Sequence, residues 1–305
     1  MNFRELEYMI ALAEEKSINL AAERLFITPS ALTQQLLKIE SELGTSLFIR
    51  SRGNWQPTEA GEIYLDAARR ILFIEEDAYR EIQDRIRSKR YSITIGVPPE
   101  RGTDIFSAIY PKFRKEYPEI TVHLRELNVK VQQLQIAAGQ IDIGFLSLAE
   151  SQRTQDEYIF LRQEEILLAV PPNYPDALLQ SLPSDNASPY RIVPLERLKN
   201  EPFAMMNTSS TLRTVQEDLF RQHGLHPNVS FETARFRTIF EMISYGLCCS
   251  LVCSHFVHLF AEGKAKIFSL PEHPTWDQVV SYRKGKYLST AEKYFISLLK
   301  DYNQP

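Results

Sequence analysis

The sequence predicts a small helical domain, a single long helix, and then an α/β domain. Three observations carry this. Two helix starts, at Ser17 and at Thr28-Pro29, lie close together around a tight turn, which marks a helix-turn-helix. From Thr58 the chain runs to about Arg90 with no proline and no glycine after Gly61. Beyond Tyr91, strand-like and helix-like runs alternate, the pattern of an α/β fold with largely parallel sheets.

Phe3 to Glu15 is amphipathic, with Phe3, Leu6, Met9, Ile10 and Ala13 on one face. Ser17 caps a short helix whose small residues Ala21 and Ala22 permit close approach of a neighbour. Phe26-Ile27 makes the turn. Thr28 then caps a second helix, and Pro29 takes its first position, where a missing N–H costs nothing. Leu32, Leu36, Ile39 and Leu43 recur at helical spacing and face inward, leaving Ser30, Thr33, Gln34, Leu37 and Lys38 outward; Gly44 ends the helix. Such a row of short donors and acceptors fits a DNA major groove, where Gln pairs with adenine edges and Ser or Thr with several bases or phosphates. An ordinary helical hairpin with a solvated polar face fits the same spacing. Leu47 to Gln56 predicts a two-stranded wing, with Arg50 and Arg52 near its Gly-Asn tip, placed for phosphate or minor-groove contact or for solvent.

Thr58 caps the long helix. Ile63, Leu65, Ala68, Ile71, Leu72, Ala78, Ile82 and Ile86 form an apolar stripe that a lone helix cannot bury, so it is expected to pair with a second copy. After Tyr91, strands are expected at SITIGVP, ITVHLREL, IDIGFLSL, EILLAVP, FAMM, VSFET, CCSLVC and VVSYR. Helices are expected at Val131–Ala138, Leu212–His223, Phe236–Tyr245 and Thr290–Lys300, and SLPSDNASPYRIVP reads as a long exposed loop.

The chain has 305 residues, enough for about two domains, and its 44% hydrophobic and 24% charged content is ordinary for a soluble protein. No stretch approaches a membrane span and MNFRELEYMI has no signal-peptide character, so no membrane is expected. Three cysteines argue against a disulfide framework and for a reducing cytoplasm. The net charge of −4 runs against a strongly basic DNA footprint. Even residues 1–60 set Arg4, Lys16, Arg24, Lys38, Arg50 and Arg52 against eight acids. Cations would have to concentrate on one face, with sequence-specific dimeric contacts supplying much of the affinity.

The stretch LAAERLFITPSALTQQLLKIESELGTSLFIR followed by PTEAG resembles the DNA-binding domain of LysR-type transcriptional regulators. The pattern falls on Ala21, Ala22, Leu25, Phe26, Ala31, Thr33, Ile39, Glu40, Gly44, Leu47, Phe48, Arg50, Thr58, Ala60 and Gly61. Pro29-Ser30 stands where many members carry Gln-Pro, and Gln34 where many carry Arg; both departures bear on which DNA is read. A weaker similarity continues through IxIGV, YPEI, AAGQIDIGF and SYGLCCSLV.

The resemblance implies a winged helix-turn-helix domain over 1–58, a linker and dimerisation helix over 59–90, and an effector-binding domain over 91–305. That last domain would have two α/β lobes resembling periplasmic solute-binding proteins, lobe I at about 91–163 and 270–305 and lobe II at about 164–269. They would be joined by strands crossing near Leu161–Ile166 and Lys266–Pro271. Implied partners are double-stranded operator DNA, a small-molecule effector, a homodimer or homotetramer, and RNA polymerase. DNA contacts are expected from Thr28, Pro29, Ser30, Thr33, Gln34, Lys38, Arg50 and Arg52.

No GxSxG, Walker loop, GxGxxG or HExxH motif is present, so no catalytic residue and no cofactor is assigned. Cys248, Cys249, Cys253, His255 and His258 are soft ligands, but they lack metal-site spacing and lie in an apolar strand-like run. They read as buried small residues, and no metal is assigned. In open α/β sheets ligands bind beyond the carboxyl ends of strands. Those ends carry Pro99, Glu100, Arg101, Gly102 and Thr103, then Asn128 and Ser147, and in the second lobe Asn207, Thr208, Ser209 and Ser210. These residues also suit plain caps and turns. As a ligand site, the start of the Leu212 helix with Arg101 would favour a small carboxylate or similar anion, while Glu100 would permit an ammonium group. The alternative function is an α/β solute-binding or metabolic protein whose N-terminal helices only mediate association.

Overall fold

A computed structural model describes residues 2–51, 54–85, 92–179 and 182–302. The chain forms two compact units, residues 1–88 and 89–305.

In the first unit, α1 (Phe3–Glu15) opens with a capping box: Asn2 Oδ1 accepts from the Glu5 N–H at 2.9 Å and Glu5 Oε2 accepts from the Asn2 N–H at 2.9 Å. Helix α2 (Ile18–Arg24) starts at the Ser17 cap, and α3 (Pro29–Leu43) at the Thr28 cap with Pro29 in its first turn. Between them, the Ile27 N–H reaches Ala22 O and the Phe26 N–H reaches Glu23 O. This is a Schellman motif, and it places Phe26 at the left-handed C′ position, φ 56°, where glycine is usual. Leu6, Met9, Leu12, Ala21, Ala22, Leu32, Leu36 and Ile39 form the shared core, each large side chain stabilising by roughly 1.5–3 kcal/mol. Leu43, expected to face inward, is half exposed because the helix ends one residue later at Gly44.

Strands β1 (Phe48–Ser51) and β2 (Asn54–Pro57) pair antiparallel as the wing, with Arg50 opposite Trp55. Glu40 Oε1 accepts from the Leu47 and Phe48 N–H groups at 2.7 and 3.2 Å, pinning the wing to α3. Helix α4 (Glu59–Arg85) packs its start against the same place. A Cβ on Gly61 would lie 2.0 Å from Leu47 O, so only glycine fits there. The α4 stripe divides in two. Leu65, Ala68, Ile71 and Leu72 pack on their own domain, whereas Ile63, Ile74 and Ile82 are exposed at 69, 70 and 56%. Ile86 lies outside the described residues.

The second unit begins with β3 (Ser92–Val97), α5 (Arg101–Glu116), β4 (Thr121–Glu126), α6 (Val129–Ala137) and β5 (Ile143–Leu148). Strand β3 runs parallel to β4 and to β5. Then β6 (Glu157–Val170) crosses to the second lobe, which contains α7 (Asp176–Leu179), β7 (Pro202–Met206), α8 (Thr211–Gln222), β8 (Asn228–Thr233), α9 (Phe236–Ser244), β9 (Ser250–Cys253), α10 (Ser254–Phe260) and β10 (Lys266–Phe268). The chain returns through β11 (Thr275–Tyr282) and closes on α11 (Thr290–Tyr302).

The sheet order is β10-β6-β11-β5-β3-β4, with β9 also on β6. Strand β11 is antiparallel to β5 and β6, and β9 and β10 are antiparallel to β6. The sheets are therefore mixed rather than largely parallel: a chain leaving one lobe along β6 must re-enter along β11 in the opposite sense. The return lies after Phe268, where the Ile166 N–H donates to Pro274 O at 2.7 Å, later than the sequence pattern placed it.

Each lobe has its own apolar core. Ile93, Ile95, Ile109, Phe113, Ile143, Phe145, Val280 and Phe295 fill the first. Leu167, Leu168, Phe203, Met205, Leu219, Ile239, Phe240 and Val252 fill the second. All three cysteines are buried in the second lobe, and burial raises their thiol pKa values, Cys248 to about 11. Among the described residues, no group of three His, Cys, Asp or Glu side chains is placed to hold a metal ion.

Candidate DNA-reading face and ligand cleft

Helix α3 presents Ser30, Gln34 and Leu37 to solvent, with Thr33 half-buried beside them. The Thr28 hydroxyl oxygen accepts from the Ala31 N–H at 3.2 Å and lies 3.1 Å from Ser30 Oγ. Thr33 Oγ1 donates back to Pro29 O at 2.8 Å, which leaves its lone pairs to accept from outside. Among the described residues the Gln34 amide has no hydrogen-bond partner, so it can give and take hydrogen bonds at once. Lys38 is less free than its place suggests. Its Nζ donates to Glu5 Oε1 at 2.9 Å, and this hydrogen bond, with that from Asn2, holds the Glu5 carboxyl below its ordinary range. Arg50 lies in β1, and its side chain and Arg52 lie outside the described residues.

In the second unit, the loops after β3, β4, β5, β7 and β8 surround a cavity of about 310 Å³ between the two lobes. Of the residues expected there, Pro99, Glu100, Arg101, Asn128, Ser147, Asn207, Ser209 and Ser210 line it. Gly102, Thr103 and Thr208 do not. A Cβ on Gly102 would lie 2.3 Å from Val97 Cβ, so that glycine serves the packing of α5 on β3. Thr103 Oγ1 donates to Glu126 Oε1 at 3.3 Å, and Thr208 is exposed.

The Arg101 guanidinium, expected to face a ligand carboxylate, is instead engaged within the protein. It forms a bidentate pair with Glu164 at 2.7 and 2.9 Å, with side chains 3% and 1% exposed. The Glu164 carboxylate also accepts from Trp276 Nε1 at 2.8 Å, Gln278 Nε2 at 2.9 Å and the His255 N–H at 2.6 Å. Burial drives the Glu164 carboxyl upward, but the charge and hydrogen bonds of Arg101, with the Trp276 and Gln278 donors, hold it well below the usual carboxylate range. The pair is therefore net neutral, with both Glu164 oxygens hydrogen-bonded. Burial and the Arg101 charge push His255 down to about 4, so it adds no positive charge.

Glu100 is the centre of a γ-turn, φ 63° and ψ −79°, closed by the Arg101 N–H on Pro99 O at 2.9 Å. This rarely populated backbone turns two neighbours opposite ways: Arg101 inward to Glu164, and Glu100 across the cleft, where its Oε2 accepts from the Phe236 N–H at 3.0 Å. That bond caps α9, whose own N-cap residue Arg235 supplies none.

No local signal marks the apolar wall, because Leu127, Met206, Phe236, Phe256 and Trp276 come from separate segments. Phe236 and Phe256 stack at 4.0 Å. Glu126 and Glu164 were also missed. A buried arginine needs a counter-charge, but nothing local marks one 63 residues away.

Two family models match the chain. The bacterial regulatory helix-turn-helix protein, lysR family, matches residues 3–62, and the LysR substrate binding domain matches residues 87–304. Among similar proteins of Bacillus subtilis (strain 168), the uncharacterized HTH-type transcriptional regulator YcgK is 27% identical over 99% of this chain and 94% of its own length. The HTH-type transcriptional regulator AlsR is 27% identical over 100% and 92%. Among solved structures, a full-length OxyR from Pseudomonas aeruginosa shares the fold with a TM-score of 0.67 at 21% identity, covering 99% of this chain and 94% of that one. Full-length CbnR complexed with its target DNA gives 0.55 at 21% identity, with 99% of each covered. A helix-turn-helix match across α1–α3 and the wing does not favour N-terminal helices that merely mediate association. With the winged fold, the two-lobed cleft and both domain models in agreement, the chain belongs to the LysR family of transcriptional regulators and is not an enzyme.

Proposed function

We propose that this regulator acts in the cytoplasm as a homodimer or a dimer of dimers, reading one operator through α3 and the wing under control of a small molecule held in the inter-lobe cleft. The observation that carries the DNA reading is the exposed row Ser30, Gln34 and Leu37 with Thr33 beside it, on a helix capped and braced as a major-groove reader requires. Residues 1–58 would bind DNA, 59–90 dimerise, and 91–305 bind effector, with lobe I at about 91–163 and 270–305 and lobe II at about 164–269. Direct readout falls to Ser30, Thr33 and Gln34, and positioning on phosphate to Thr28, Lys38, Arg50 and Arg52, with Pro29 in apolar contact with the DNA. Ile63, Ile74 and Ile82 supply an exposed apolar strip on α4 that a second copy would cover. Effector binding would favour one lobe arrangement and so one placement of the DNA-binding domains, and RNA polymerase would be the downstream partner.

A gel shift against genomic fragments tests this reading. Binding should be selective for one fragment and weaken with salt, and Gln34→Ala should weaken specific binding by about 1–3 kcal/mol while leaving non-specific binding unchanged. Equal binding to all fragments, or an unaffected Gln34→Ala variant, would refute the assignment of α3.

A further inference from the structure

The cavity between the lobes holds an unequal set of charges and donors, and this inequality specifies its ligand. The inference rests on the proposal that this cleft is the effector site. Among the described residues the cation that lines it is Arg101, neutralised by Glu164 at 2.7 Å. The remaining charged groups of the lining are Glu100 and Glu126, both acidic. Among the described residues each accepts one hydrogen bond, from the Phe236 N–H and from Thr103 Oγ1, and neither has an ion-pair partner.

Some of the donors that an anion would use are engaged within the protein. At the start of α8 the Ser210 hydroxyl oxygen accepts from the Leu212 N–H, and Ser210 O accepts from the Arg213 N–H. Thr211 Oγ1 donates to Ser147 O at 2.7 Å, and Ser209 Oγ donates to Asn207 Oδ1 at 2.9 Å. Opposite these lies an apolar wall that includes Phe236 and Trp276. A site with two carboxylates, net negative charge and aromatic walls attracts a group that brings positive charge on an apolar body.

We infer that the effector is a small amine or guanidine, its cationic head between Glu100 and Glu126 and its apolar body against Phe236 and Trp276. Because Glu100 also caps α9 of the facing lobe, a cation there would bear directly on one of the bonds that tie the lobes together.

The test uses the full-length protein and three compounds with one phenylalkyl body: 2-phenylethylamine, 3-phenylpropanamide and 3-phenylpropanoate. Calorimetry should show the ammonium compound binding at least tenfold more tightly than the carboxylate, with the amide between. Glu100→Gln with Glu126→Gln should abolish that preference while the melting temperature stays within a few degrees of the parent. Tighter binding of the carboxylate, no preference among the three, no binding of the amine, or an unchanged preference in the double variant would each overturn the inference. A gel shift on the same preparations separates the two readings. Retained operator binding alongside a carboxylate preference removes only the ligand class, whereas loss of selective DNA binding in the parent protein removes the regulator reading.

Discussion

Replacing Glu164 by glutamine tests how the base of the cleft is held. The substitution keeps the shape of the side chain but exchanges one acceptor oxygen for an NH₂ group. On one side Oε1 faces Arg101 NH2 at 2.9 Å, the His255 N–H at 2.6 Å and the Ser254 hydroxyl at 3.4 Å. On the other, Oε2 faces Arg101 NH1 at 2.7 Å, Trp276 Nε1 at 2.8 Å and Gln278 Nε2 at 2.9 Å. Either orientation of the amide therefore sets a donor against donors. It also leaves a guanidinium 3% exposed without a counter-charge. Breaking a buried pair from one side costs about 3–5 kcal/mol. At about 2–4 °C per kcal/mol for a domain of this size, calorimetry should show the effector-domain transition falling by roughly 6–20 °C. A double variant, Arg101→Leu with Glu164→Leu, should recover much of that loss, because no charge is left unpaired. A fall of under 2 °C for Glu164→Gln, or a double variant worse than both singles, would refute the network as described.

Phe26→Gly should stabilise the first unit by about 0.5–1 kcal/mol, seen as a higher denaturant midpoint, because the ring is 95% exposed and its backbone holds a glycine conformation. Ile63→Asp with Ile74→Asp should leave the fold intact and shift the sedimentation coefficient of the full chain to that of a smaller assembly; an unchanged coefficient would remove α4 as an interface. Gly61→Leu should prevent the wing from docking on α4, lowering the melting temperature and abolishing operator binding, since Leu47 O occupies the space a side chain needs. Hydrogen bonds to the Glu272 and Glu196 carboxylates raise the pKa of His223, and those to Glu165 and Asp185 raise that of His273. A raised folded value means that their stabilisation is complete below the ordinary 6.5 and is lost as pH rises through the folded values. Melting temperature should accordingly decline above pH 6.5, and His223→Gln with His273→Gln should flatten that decline.

The parts of the fold that were legible in the sequence are those determined locally. Ser17, Thr28-Pro29 and Gly44 mark helix ends because caps act within a few residues, and the strand and helix order after Tyr91 follows from periodicity. The motif that carries the family resemblance is mostly framework. Glu40 holds the Leu47 and Phe48 amides, Thr58 Oγ1 bonds Ser46 O at 2.7 Å, and Gly61 admits the close crossing of chain segments. The row Ser30 and Gln34 departs from the common pattern where DNA sequence is chosen. Long-range pairing was not legible. Lys38 reads as a free cation until Glu5 appears beneath it, and Arg101 reads as a ligand anchor until the fold brings up Glu164. The α4 stripe shows the same limit: 3.6-residue spacing shows that a helix has an apolar face, but not that Leu65, Ala68, Ile71 and Leu72 pack on their own domain.

The first half of β6 bonds to β11 and its second half to β9 and β10, so one extended segment is built into the sheets of both lobes. One of the two connections between the lobes is thus continuous strand, while the return passes through a turn at 270–274. Motion carried by β6 has to be taken up as torsion along a hydrogen-bonded spine, eased where the β11 register slips between Gln278 and Val279. Such a joint is stiff to bending and compliant to twist. Sealing the cleft would then appear as a screw-like turn of one sheet against the other, and stiffening the slip by restoring regular register should damp the response to ligand without touching any group that the ligand meets.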